Sequence, residues 1–211
     1  MSTRRVFLQF ILTTPLALAL PACDDSPKFT PLPQGTKVAA LGDSLTFGYG
    51  VPNSQSYPTL LANKTGWHII NAGVNGDTTQ NVLDRLTSVI DQNPKLILLG
   101  VGGNDVLRRV HPENTKNNLI QIIQALQAKQ IAVILIAQPH LSASALFGKA
   151  SDNPIYKEVA DETGVPLFDK IWSKILSDDS LKSDQIHANG AGYAYFADEL
   201  YKFLQQLGYV A

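Results

Sequence analysis

The 211-residue sequence contains a single cysteine, Cys23. One cysteine excludes an internal disulfide framework and the cysteine-rich zinc and iron–sulfur sites. Neither an HExxH pair nor a GxxxxGK[ST] loop occurs, which sets aside zincin metalloproteases and P-loop NTPases. Charge is scarce: Asp, Glu, Lys and Arg make up 17% of the chain, below the roughly 25% typical of soluble proteins. No sign dominates, because 17 basic against 18 acidic residues leave a net charge of −1. Arg4 and Arg5 lie in a segment expected to be removed, and without them 15 against 18 leave −3. Nucleic-acid binding therefore has no electrostatic support. Also missing is an apolar run of the roughly 20 residues that a membrane-spanning helix needs. What is present, 45% apolar residues, is the composition of an ordinary globule. The length suits one domain.

The N-terminus reads as an export signal. Arg4 and Arg5 precede an apolar stretch from Val6 to Leu20, followed by Pro21, Ala22 and Cys23. A short basic region, an apolar run and then small residues form the secretory pattern. Pro15 interrupts the run, which favours a cleaved signal over a retained anchor. Ser2-Thr3-Arg4-Arg5-Val6-Phe7-Leu8 resembles a twin-arginine signal. Leu20-Pro21-Ala22-Cys23 resembles a bacterial lipobox, whose cysteine becomes the lipidated first residue of the mature protein; Pro21 departs from the small or β-branched residue usual there. The alternative is cleavage after Ala17-Leu18-Ala19, leaving Cys23 as a free thiol. The expected division is a signal peptide over 1–22, a tether over 23–35 containing Pro27, Pro31 and Pro33, and one domain over 36–211. A lipidated Cys23 implies an exported protein held at a membrane of the bacterial cell envelope; soluble secretion is the alternative.

From Lys37 onward, strand and helix patterns alternate. Lys37 to Leu41 is a short apolar strand ending at Gly42, and His68 to Ile70 is a second. Leu96 to Val101 is almost wholly apolar, as in a strand buried on both faces. Ile131 to Ala137 and Val165 to Phe168 complete five strands. Between them, Tyr57 to Lys64, a segment from Thr78, a segment around Leu119 to Leu126, and Pro154 to Thr163 read as helices. In the second of these, Val82, Leu83, Leu86, Val89 and Ile90 fall on one helical face. A last helix carries Ala197, Leu200, Leu204 and Leu207, with Gly208 suited to its C-cap. Five β-α units in series predict a doubly wound, five-stranded parallel sheet in a flavodoxin-like three-layer α/β/α arrangement. Ligands of such folds bind in the crevice at the carboxyl ends of the strands.

The polar motifs follow the strands. Gly42-Asp43-Ser44-Leu45 follows the first, Asn71 to Asp77 the second, Gly102-Gly103-Asn104-Asp105 the third, and Asp184-Gln185-Ile186-His187 comes after the fifth across a loop. A parallel sheet brings all of them to one edge. A hydroxyl, an imidazole, an amide and a bare backbone N–H converging there are what acyl transfer needs. Ser44 is the candidate nucleophile and His187 its base. Asp184, three residues earlier, can hold one ring nitrogen and leave the other for Ser44. Gly76 and Asn104 are candidate oxyanion donors. Each residue also has a bland reading: Asp43 or Ser44 caps a helix, Gly76 makes a tight turn, Asn104 caps another helix. Of the other histidines, His68 lies within a strand, His111 precedes Pro112 at a helix start, and His140 lies in a loop with either a structural or a substrate-contacting role.

The order and context of these blocks resemble the SGNH hydrolases, also called the GDSL esterase family. The match spans about residues 36–208. Ala40 to Thr46 is similar to the nucleophile block, Asn75-Gly76-Asp77-Thr78 to the glycine block, Gly102 to Asp105 to the asparagine block, and Asp184 to His187 to the terminal block. The resemblance implies Ser44 as nucleophile, His187 as base and then acid, and Asp184 as its orienting group. It implies an oxyanion hole from the backbone N–H of Ser44, that of Gly76 and the side chain of Asn104. Tyr57-Pro58 and Gly164-Val165-Pro166-Leu167 resemble the bacterial branch of arylesterases and thioesterase/lysophospholipases. Ala188 stands where the family often has proline. The implied activity is hydrolysis of carboxylic esters or thioesters without metal or cofactor, on small-molecule or lipid esters including lysophospholipids.

Substrate choice is less legible. The stretch from Gln138 to Asn153 is long and aperiodic, which in a compact domain is often functional. Its Leu146 and Phe147, with Val106 and Leu107, are candidates for an acyl pocket, or else pack beneath the loop. Sugar acetyl esters are an alternative substrate class on the same fold. Two rival readings are a nucleotide or flavin binder, faintly suggested by Gly100-Val101-Gly102-Gly103, and a lipoprotein that only binds an acyl ligand. The full GxGxxG is absent, and the second strand ends in Asn71 where a ribose-binding acid is expected.

Overall fold

The computed structural model describes residues 28–140 and 150–211. Five parallel strands pair in the order β2-β1-β3-β4-β5, the flavodoxin-like order. They are β1 (Lys37–Gly42), β2 (His68–Gly73), β3 (Leu96–Gly100), β4 (Ala132–Ile136) and β5 (Leu167–Phe168). The apolar runs become central strands because both their faces are covered. Val38, Ala40, Leu96, Leu98, Ile134 and Ile136 point to one side. They meet α2 (Tyr57–Thr65), α8 (Ile171–Leu176) and α9 (Gly190–Leu207). The alternate residues Ala39, Leu41, Ile97, Leu99, Val133 and Leu135 point to the other. There they meet α3 (Thr79–Asp84), α4 (Leu86–Ile90), α6 (Pro112–Ala128) and α7 (Ile155–Thr163). The period of two in each strand thus divides one sheet between two cores.

Two short helices stand directly after strands at the carboxyl edge: α1 (Ser44–Phe47) after β1 and α5 (Gly103–Leu107) after β3. Neither is expected from periodicity, being four and five residues long. The helix read from Thr78 bends at Arg85, where φ is −101°, and becomes α3 and α4. Leu86 and Val89 stay buried across the bend, so the apolar stripe survives. The fifth strand is shorter than the expected Val165 to Phe168, because Pro166 has no N–H for the ladder and only its carbonyl pairs, with Leu135 N–H at 2.9 Å.

From Phe29 on, the segment expected as a tether is joined to the folded domain. Phe29 N–H donates to Leu207 O at 3.0 Å and Leu32 N–H to Tyr209 O at 2.9 Å. The Phe29 ring stacks on Tyr209 with centroids 4.4 Å apart, and Trp67 Nε1 donates to Leu32 O at 3.2 Å. The folded unit therefore begins before residue 36, by adding apolar cover to the end of α9. Among the described residues no helix is long and apolar enough to cross a membrane. Phe29→Ala is expected to lower unfolding free energy by about 1–2 kcal/mol in urea titrations, a half-buried aromatic's share. A chain starting at residue 36 should melt lower than one starting at residue 28. Equal melting temperatures would show that the segment adds nothing to the fold.

Candidate active site

Strands β1, β2 and β3 finish level with one another: Gly42 pairs with Gly73 on one side and with Gly100 on the other. The backbone of α1 lies on this row. A Cβ on Gly73 would meet Phe47 N at 2.2 Å, and one on Gly42 would meet Gly100 O at 2.1 Å. Only glycine permits that approach. Asp43 caps α1, its Oδ1 accepting from Leu45 N–H at 3.1 Å, so the capping reading holds for Asp43. Ser44 opens the helix and faces the cleft.

His187 Nε2 lies 3.1 Å from Ser44 Oγ. Its Nδ1 lies 2.8 Å from Asp184 Oδ2. Asp184 Oδ1 also accepts the backbone N–H groups of Ile186 and His187, each at 2.8 Å. This turn-forming carboxylate fixes the imidazole plane through backbone and ring together. Partial burial pushes the Asp184 carboxyl upward, but the hydrogen bonds from the His187 ring and the two N–H groups hold it below the ordinary carboxylate range. The Tyr49 ring lies against the imidazole with centroids 4.4 Å apart.

Gly76 has φ +83° in the turn after β2, and its space is open apart from Arg108. Asn104 lies within α5, whose N-cap is Gly102, so it does not cap the helix. Its Nδ2 donates to Asp77 O at 3.0 Å, which ties the asparagine to the residue after Gly76. Asp105 anchors α5 from below: its carboxyl accepts Thr79 N–H at 2.9 Å and Thr79 Oγ1–H at 2.6 Å. The cleft, about 270 Å³, is lined by Ser44, Tyr49, Gly76, Asn104, Leu107 and His187 among others. The structure thus brings together Ser44, Gly76, Asn104, Asp184 and His187.

Val106 does not line this cleft. It faces a neighbouring cavity of about 360 Å³ with Val110, Ile155 and His140, because successive residues of α5 point to different sides. Leu107 does line the cleft and is 49% exposed. Cys23, Leu146 and Phe147 lie outside the described residues. Sequence reasoning missed Tyr49 and Arg85. Tyr49 sits five positions after Ser44, past the left-handed Gly48, and no spacing rule places it. Arg85 reads as the polar face of an amphipathic helix but turns inward. Its Nε donates to Asp77 Oδ2 at 2.7 Å, and Nη2 donates to Ala72 O at 2.8 Å and Gly42 O at 3.1 Å. Among the described residues no cluster of three or more His, Cys, Asp or Glu side chains could hold a metal ion.

Burial pushes the Asp43 carboxyl up from 3.8 to about 7, its bond from Leu45 N–H working against the rise and the nearby Asp105 adding to it. Between those values the folded chain holds a proton that the unfolded chain releases, so rising pH costs stability through this group until about 7. In Asp43→Asn the amide oxygen still accepts from Leu45, and this part of the pH dependence should vanish. Urea unfolding of both proteins at several pH values checks it: stability of the parent should fall relative to Asp43→Asn as pH rises. Parallel curves would mean Asp43 does not titrate there.

Residues 40–195 match the model of the GDSL-like Lipase/Acylhydrolase family. Thioesterase 1/protease 1/lysophospholipase L1 of Escherichia coli K12 is 35% identical over 176 residues, covering 79% of this chain and 82% of that protein. Arylesterase of Vibrio mimicus is 29% identical over 172 residues, covering 77% and 84%. The crystal structure of the psychrotrophic esterase EstA from Pseudoalteromonas sp. shares the fold, with TM-score 0.70 at 23% identity over 81% of this chain and 97% of that one. This chain thus belongs to the GDSL-like, or SGNH, lipase/acylhydrolases as an ester-hydrolysing enzyme.

Proposed function

We propose that the protein is an exported serine esterase acting on acyl and aryl esters, thioesters and lysophospholipids through Ser44, His187 and Asp184. The observation that carries this reading is the Ser44 Oγ to His187 Nε2 distance of 3.1 Å, with Asp184 on the other ring nitrogen at 2.8 Å. Ser44 Oγ attacks the substrate carbonyl carbon while His187 Nε2 takes its proton. The carbonyl oxygen gains negative charge and is met by the N–H groups of Ser44 and Gly76 and the amide of Asn104. One such donor contributes roughly 2.7–4 kcal/mol to the transition state. Asp184, held ionised by its hydrogen bonds, faces the imidazolium. As the tetrahedral species collapses, His187 returns the proton to the departing alkoxide or thiolate, leaving an acyl-Ser44. Water then attacks with His187 as base, and collapse returns the proton to Ser44 Oγ.

The substrate range draws support from the activities for which the relatives are named and from the shape of the cleft. Leu107 and Pro139 line the cleft, while their chain neighbours Val106 and His140 line the second cavity. An acyl chain leaving Ser44 can continue along that apolar wall of Val106, Val110 and Ile155. Export rests on the basic and apolar N-terminal pattern, and lipidation on the sequence around Cys23.

Hydrolysis of p-nitrophenyl esters from acetate to palmitate tests the reading. Ser44→Ala should lower kcat by at least ~10³-fold while the protein stays folded, and the chain-length profile should extend beyond butyrate. Full activity in Ser44→Ala would refute the mechanism. In a bacterial host, Cys23→Ala should move the protein from the membrane fraction to the soluble fraction. An unchanged distribution would remove the lipid anchor from the proposal.

A further inference from the structure

One guanidinium joins the end of β1 to the end of β2 and to the turn that follows it. Arg85 Nη2 takes the carbonyl of Gly42, the last residue of β1 and two before Ser44. The same nitrogen takes the carbonyl of Ala72 near the end of β2, whose chain leads on to Gly76. Nε takes the carboxylate of Asp77, the residue after Gly76, and the Asp77 carbonyl in turn receives Asn104 Nδ2. The pair is largely out of solvent, with side-chain exposures of 25% for Arg85 and 12% for Asp77. The backbone at Arg85 breaks between α3 and α4, which lets the side chain run inward instead of along the helix surface.

We propose that Arg85 is a positioning residue for the oxyanion hole. It sets the Gly76 N–H and the Asn104 amide against Ser44 by tying the carboxyl ends of β1 and β2 to the turn after Gly76. The proposal rests on the oxyanion-hole reading above. A planar, always-charged fork can span several acceptors at fixed angles, whereas a lysine ammonium is a point charge on a flexible stem. Hole donors act only if they meet the oxyanion at its final position, and a misplacement of about 1 Å can cost about 10²-fold in rate. Arg85 reaches no substrate atom itself; its effect passes through Gly76 and Asn104.

The test compares Arg85→Lys, Asn104→Ala and the double variant, each confirmed folded by circular dichroism. Substrate hydrolysis gives kcat and KM. Phenylboronic acid provides a tetrahedral mimic: its boron accepts the Ser44 Oγ electron pair, the Oγ proton passes to His187, and a boronate oxygen occupies the hole. Arg85→Lys is expected to lower kcat about 10- to 100-fold. KM should stay within about threefold, since planar substrate makes little use of the hole. Phenylboronic acid affinity should fall in step with kcat, which a loss of mere fold stability would not produce. Both changes act through one hole, so the double variant should lose less than the product of the single losses.

An unchanged kcat in Arg85→Lys, beside a clear loss in Asn104→Ala, would overturn the proposal while leaving the hole intact. Full multiplication of the two losses would overturn it as well. No loss in Asn104→Ala would instead refute the hole reading on which it rests. Should Arg85→Lys fail to fold, Asp77→Asn decides the matter. That variant keeps an acceptor for Nε and removes the charge, and kcat should drop by about 3- to 10-fold; an unchanged kcat there overturns the proposal.

Discussion

The level ending of β1, β2 and β3 at Gly42, Gly73 and Gly100 is the constraint on which the rest of this structure depends. Side-chain-free backbone at the first two positions lets α1 settle on the sheet edge with its own backbone in contact. Its Phe47 carbonyl is then held by Asn71 Nδ2 at 3.1 Å, and Thr46 Oγ1 lies 3.3 Å from the Tyr57 hydroxyl. Ser44 acquires a fixed position relative to the sheet before any catalytic partner is considered. The turns after β2 and β3 rise from the same level, so Gly76 and Asn104 arrive beside it. A methyl group on Gly42 would displace the Gly100 carbonyl or the Thr46 hydroxyl, and every distance in the site would change with it.

Electrostatics in this edge are handled by different means for each acid. Asp184 stays ionised because the His187 ring and two backbone N–H groups bond to it, and it is 48% exposed on its side chain. Asp77 is matched by Arg85 at 2.7 Å. Asp105 is surrounded by the hydroxyls of Thr79 and Thr115 and the Thr79 N–H. Asp43, buried beside Ser44, is held up to about 7 by loss of solvent. Of these four acids, Asp77 is met by a cation and Asp184 and Asp105 by three donor groups each, whereas the donors to Asp43 do not offset its burial.

Much of the fold was legible because its signals are local and repeated. Leu96 to Val101 has no polar residue to expose, and such a run survives only under two covers. The proximity of Ser44, Gly76, Asn104, Asp184 and His187 was legible because a parallel sheet sends every strand's end to one edge, so order along the chain translates into nearness. Arg85 was not legible, since a basic residue on a helical stripe normally points to solvent and only the break at its own backbone turns it inward. Tyr49 against His187 is a contact over 138 residues of chain with no periodic trace. Phe29 and Leu32 were concealed among prolines, and their partner, Tyr209, lies at the other end of the chain. Val106 and Leu107 line different cavities, because adjacency in sequence says nothing of direction on so short a helix.

That last separation bears on how the cleft is built. Ser44, Gly76 and Asn104 follow the ends of β1, β2 and β3. The apolar walls come from α5 and from the chain leaving β4, where Leu107 and Pro139 border one cavity and Val106 and His140 the next. Asp105 holds that helix through Thr79 and Thr115, which fixes the backbone that carries Asn104, half-buried Val106 and exposed Leu107. Asn104 and Leu107, one turn apart on α5, thus face the same cleft, while Val106 faces the next cavity. The buried carboxyl of Asp105 sets the placement of all three side chains at once.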